Sequence, residues 1–173
     1  MYVAQKLRSQ SVSAYLIYMY QVEDLVRAYG LDAGRIVADY LPRFGYDAEQ
    51  TRQAREWYEA LVRMMREEGK EASGHLRVVQ NTLDLLEDRH QELLADHDER
   101  DYRAAYYKTL PHIIFLRSQG NNKAKHEMEN CIDALYGATL LRMQGKEIAP
   151  GTEAALKAIS DLLRLGEEKA KQL

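Results

Sequence analysis

The chain has 173 residues, 46% hydrophobic and 29% charged, with a formal net charge of -3 and a pI ≈ 6.0. That size and balance fit a single folded domain over residues 1–173 and exclude disorder along most of the length. No Lys/Arg run or basic stripe appears, so nucleic acid is not an expected partner, and no apolar stretch approaches the ~20 residues of a membrane span.

The sole cysteine, Cys131, excludes an internal disulfide and any multi-cysteine metal site, and the expected location is cytoplasmic. Only 3 prolines and 10 glycines punctuate the chain, which suits long helices joined by short turns. Twelve tyrosines stand against two phenylalanines, a skew toward side chains that bring a hydroxyl into the interior or to its edge.

No segment alternates polar and apolar residues, so no sheet is expected. The first helix is expected from about Ser9 to Tyr29 and carries the run Ala14-Tyr15-Leu16-Ile17-Tyr18-Met19-Tyr20. At ~100° per residue, Leu7, Ala14, Tyr18, Val22, Leu25 and Tyr29 form one stripe, and Leu16, Tyr20, Glu23 and Arg27 lie opposite. Both faces have something to bury, so the second needs a neighbouring helix or a second subunit.

Gly30 and Asp32 mark a stop and a new N-cap before a short helix over 33–41, ended by Pro42. The third helix opens at Asp47 with Gln50 at capping-box spacing, carries Ala54, Trp57, Leu61, Met64 and Met65, and closes at Gly69. The fourth runs from about Ser73 to Ala95, its apolar series Leu76, Val79, Leu83, Leu86 and Leu93 interrupted by His90. Residues 96–101 form a charged turn.

The fifth helix, 102–117, contains Pro111 and is expected to kink or break near Leu110. After a loop at 118–122, the sixth runs from about Lys123 to Gln144 with Met128, Cys131, Leu135 and Thr139 in one stripe and Arg142 in line. Pro150 begins the last, which turns Ala155, Ile159, Leu162 and Leu163 inward. The expected fold class is all-α: a single-domain bundle of about seven helices with short connections.

Glu87-x-x-His90 has metal-ligand spacing, but a carboxylate-bridged di-metal bundle needs two such pairs. One pair, with its histidine in an apolar stripe, reads as a core-edge histidine, and no metal or cofactor is expected. Glu23 and Arg27, four apart, are expected to pair on the helix surface, while Asp24 points elsewhere. Arg142 sits on an otherwise apolar face and is expected to bond Glu23 or Asp24, completing a structural polar network. A helix break at Pro111 would free the Tyr107 carbonyl. The candidate ligand pocket is therefore Tyr15, Tyr18 and Gln21 with Tyr106, Tyr107 and His112. No phosphate loop or nucleophile elbow occurs, and no catalytic residue is assigned.

Several stretches together carry a family resemblance: residues 14–27, Arg55-Glu56-Trp57-Tyr58-Glu59-Ala60-Leu61, Ser73-Gly74-His75-Leu76, Ala105-Tyr106-Tyr107-Lys108-Thr109-Leu110-Pro111, and Ala134-Leu135-Tyr136-Gly137. The chain resembles, over essentially its full length, a family of uncharacterised all-helical bacterial proteins classed as a domain of unknown function. The resemblance implies a helical, cytoplasmic, one-domain protein and carries no activity. The expected function is non-enzymatic, through protein–protein contact or self-association by the second face of the first helix (Leu16, Tyr20, Arg27). The alternative is a small-ligand-binding bundle, enzymatic or not, with a tyrosine-lined pocket.

Overall fold

The computed structural model describes residues 2–119 and 125–170. The elements are α1 (Tyr2–Gln10), α2 (Val12–Ala28), α3 (Ala33–Arg35), a π turn (Ile36–Tyr40) leading into a 3-10 turn (Leu41–Phe44), α4 (Ala48–Glu67), α5 (Arg77–Ala95), α6 (Arg100–Gln119), α7 (Glu127–Met143) and α8 (Pro150–Ala170). The fold is all-α among the described residues, with eight α-helices where about seven were expected.

The added helix arises at Ser11, placed by the sequence inside one helix from Ser9 to Tyr29. Its hydroxyl accepts the Ala14 N–H at 3.2 Å. That is an N-cap, and it ends α1 and opens α2. Residues 120–122 of the expected loop and the expected helix start at Lys123 lie outside the described residues, while Ser118 and Gln119 close α6.

The chain divides into two compact units, Met1–Gln10 with Tyr18–Asn81, and Ser11–Ile17 with Thr82–Leu173. The reading of one domain carried no hint of this partition, because two of the boundaries fall inside continuous helices, α2 and α5, where the residue pattern does not change.

In the first unit, Asp32 caps α3 by accepting the Arg35 N–H at 3.0 Å. The expected capping box is present at α4: Gln50 N–H donates to Asp47 at 2.8 Å and Asp47 N–H to the Gln50 side chain at 3.1 Å. Helix α4 buries Ala54, Tyr58, Leu61, Val62 and Met65, whereas Trp57 and Met64 are only half-buried, so its inward face is turned toward Tyr58 and Val62. Pro42 does not stop the preceding segment. It occupies the start of the 3-10 turn, where its fixed φ fits and its missing N–H is not needed. Gly45, at φ 62°, ends that turn in the left-handed region that suits glycine.

In the second unit α6 packs most extensively on α8. Gly166 eases their approach, since a Cβ there would lie 3.3 Å from the Tyr102 ring, tight enough to make that ring shift by a few tenths of an ångström. Helix α8 turns Ala155, Ile159, Leu162 and Leu163 inward as expected. Helix α6 runs through Pro111 without a break, so of the kink or break expected there the break is excluded. Proline removes one hydrogen bond, but Pro111 and Tyr107, whose carbonyl loses it, are both exposed, so water can take up the freed carbonyl. The charged turn after α5 is fastened: Lys169 of α8 pairs with Glu99 at 2.5 Å and Asp101 at 2.9 Å.

Candidate functional site

The second face of α2 is covered by the chain itself. Leu16 and Tyr20 are 0% and 2% exposed, and Glu23 is 1% exposed. Around Glu23 the first unit folds the segment between α4 and α5 back onto α2. One carboxylate oxygen lies 2.7 Å from His75 Nδ1, and the other accepts the Leu76 N–H at 2.8 Å, fixing the start of α5. The His75 ring stacks on Tyr20 with centroids 3.8 Å apart and planes 14° from parallel. Arg27 donates to the carbonyl of Lys70 at 3.2 and 3.3 Å and to that of Gly74.

These contacts correct two expectations. Glu23 does not pair with Arg27 on the surface; Arg27 pairs with Asp24 at 2.9 Å. Arg142 pairs with Glu153 at 2.7 Å rather than completing a network with Glu23 or Asp24. The second face of α2, expected to need a neighbouring helix or a second subunit, has Leu16 and Tyr20 buried and Arg27 committed to backbone carbonyls of its own chain.

The first unit also holds a recess of about 160 Å³. Tyr18, Gln21, Val22 and Leu25 of α2 form one wall, and Tyr58 of α4 and Val3 of α1 contribute to the lining. Tyr40, Phe44 and Tyr46 complete it from the irregular segment. The π turn is closed by the Leu41 N–H bonding the Ile36 carbonyl, and the 3-10 turn follows at once. Such a change of winding sets side chains where a regular helix would not, and π turns recur at functional sites. The Phe44 ring lies 5.2 Å from Tyr40 at 66° and 5.5 Å from Tyr46 at 18°. Burial, aided by the Tyr40 and Tyr46 phenols, pushes the Tyr18 hydroxyl up to about 12, and the Tyr58 hydroxyl rises for the same reasons. Both phenols are therefore neutral hydrogen-bonding groups at physiological pH.

Of the six residues expected to form a pocket, Tyr18 and Gln21 line this recess. The other four belong to the second unit. Tyr15 is buried there. Tyr106 packs against His90 and Tyr107, its hydroxyl 3.4 Å from Glu127 and raised to about 12 by burial and that carboxylate. Tyr107 is exposed and His112 half-buried. The sequence reading missed Tyr40, Phe44, Tyr46 and Tyr58. The available signal was three aromatics within seven residues around Pro42 and Gly45.

Glu87 and His90, the pair with metal-ligand spacing, serve different neighbours. Glu87 accepts the Met128 N–H at 2.9 Å and the Gln91 amide at 2.8 Å. His90 is 2% exposed and bonds the Tyr102 hydroxyl through Nδ1 at 2.8 Å, while Nε2 has no hydrogen-bond partner among the described residues. Burial lowers its pKa below the usual 6.5 in spite of Glu87 and Glu127. Burial likewise pushes the Cys131 thiol far up, which leaves it inert as a nucleophile.

The family described as a domain of unknown function, DUF4924, matches residues 1–172. The chain belongs to this family. No curated protein and no solved structure matches it. Among the described residues no helix is long and apolar enough to cross a membrane.

Proposed function

We propose that this DUF4924 protein is a non-enzymatic binding protein whose first unit accommodates a small molecule in the tyrosine-lined recess. The observation that carries this reading is the convergence of Tyr18, Tyr40, Tyr46, Tyr58 and Phe44 with the Gln21 amide around one recess. Its volume is near the roughly 150 Å³ of an engineered cavity that takes up benzene, and below the roughly 300 Å³ at which drug-sized sites begin. The ligand is correspondingly small. Ligand-detected NMR with a panel of compounds of about benzene size tests this. At least one compound is expected to bind the wild type and to lose binding in Leu25→Trp, which fills the recess. A panel with no binder at millimolar concentration overturns the reading.

A second reading, self-association, is supported by α6. Tyr107 and Ile114, seven residues apart and so on one face, are 65% and 58% exposed, with Phe115 beside them at 44%. Sedimentation at about 100 μM, where even weak association registers, is expected to show a dimer that Ile114→Glu dissociates; a monomeric wild type ends this reading. We infer a cytoplasmic location from the single cysteine, a buried free thiol that a reducing compartment suits.

A further inference from the structure

We propose that the ligand of the tyrosine-lined recess is a small organic cation of the quaternary-ammonium type, held by ring faces rather than by a carboxylate. This rests on the reading of the recess as a ligand pocket. The first support is ring geometry. Tyr40 and Phe44 meet at 66° with centroids 5.2 Å apart, and Phe44 continues to Tyr46 at 5.5 Å and 18°, so three rings in two orientations gather among the residues lining the recess. Each ring face carries the negative lobe of the ring quadrupole, and such a gathering suits a rounded cation that touches several rings at once.

The second support is the charge of the lining. Among the described residues, none of the side chains lining the recess carries a formal charge at neutral pH. An anion would find no cation in the lining itself; Arg43 stands outside it, against Tyr40. A primary ammonium would lose hydration that one amide and a few phenols replace only in part. A methylated ammonium sheds water more readily, and its methyl groups match the apolar surfaces of Val22 and Leu25.

The third support is that the same aromatic cluster already attracts cations. The Arg43 guanidinium lies 4.5 Å from the Tyr40 centroid. Arg35 lies 5.8 Å from that of Tyr29, whose ring meets Tyr40 edge-on at 6.5 Å. Arg43 is exposed, so its repulsion of a bound cation is screened by water and salt.

The test is calorimetric titration with choline chloride and tetramethylammonium chloride, against 3,3-dimethylbutan-1-ol, the uncharged carbon isostere of choline, and against sodium benzoate, at matched ionic strength. The emission of Trp57 gives a second readout, since this sole tryptophan lies 5.0 Å from Tyr58 of the lining. Choline is expected to bind roughly tenfold tighter than its isostere, in keeping with one or more cation–π contacts. Tyr40→Phe, which keeps the ring, should retain that preference, and Tyr40→Leu should lose most of it. Tyr46→Leu is an independent second variant should Tyr40→Leu fail to fold. Equal affinity for choline and the alcohol, or a preference for benzoate, overturns the cation while leaving a ligand pocket. Binding of none of the four overturns the cation, and the pocket reading is then decided by the compound panel.

Discussion

Replacing Glu23 by alanine is expected to lower unfolding stability by about 3 kcal/mol, the combined loss of two hydrogen bonds to a carboxylate and of a partner for a buried N–H. Glu23 and Leu76 are 1% and 0% exposed, so water cannot replace the carboxylate at the Leu76 N–H. His75 loses the acceptor that sets its ring against Tyr20. Glu23→Gln should cost less, about 1 kcal/mol. Its amide oxygen can keep the Leu76 bond, and its NH2 can donate to Nδ1 once His75 carries its proton on Nε2. Urea unfolding of the three proteins decides the matter. A loss below about 1 kcal/mol for the alanine variant would mean that Glu23 does not anchor the segment before α5.

His90 is expected to make stability fall as the solution is acidified below the ordinary histidine range. Its pKa in the folded protein lies below the 6.5 of a free side chain. As pH drops, the unfolded chain therefore takes up the proton first, and stability is lost from about 6.5 down to the folded value. The slope cannot exceed about 1.4 kcal/mol per pH unit. The double variant His90→Leu, Tyr102→Phe removes both ends of the buried hydrogen bond and leaves no orphaned phenol, so it should fold well, whereas His90→Leu alone strands the Tyr102 hydroxyl at a cost of about 1–3 kcal/mol. Unfolding measured at about pH 7.5 and 5.5 should show the wild type losing more stability than the double variant. Parallel losses would mean that His90 keeps an ordinary pKa.

What was legible in the sequence was local. The capping box at Asp47 and Gln50, the cap at Asp32 and the inward series of α8 each depend on residues within a few positions of one another, and each is found in place. The cap at Ser11 was equally local, yet the apolar run after it masked the signal. The second face of α2 was visible as a face, but its covering at Tyr20 and Glu23 comes from His75 and Leu76, some fifty positions away. Periodicity shows that a surface needs burying and is silent about what buries it. The recess was half legible for a similar reason. Tyr18 and Gln21 lie on a regular helix, where spacing defines direction, while Tyr40, Phe44 and Tyr46 follow π and 3-10 turns, where the ~100° rule fails.

Arg27 holds the loop after α4 by main-chain oxygens alone, those of Lys70 and Gly74. A carbonyl is the same in every residue, so this grip does not depend on the letters between its two endpoints. Glu71, Ala72 and Ser73 are exposed. The path of the loop is thus set from α2, while its spelling at those three places is open: they can accept a reporter group or a cysteine for labelling, close to His75, without a change in the backbone that carries it.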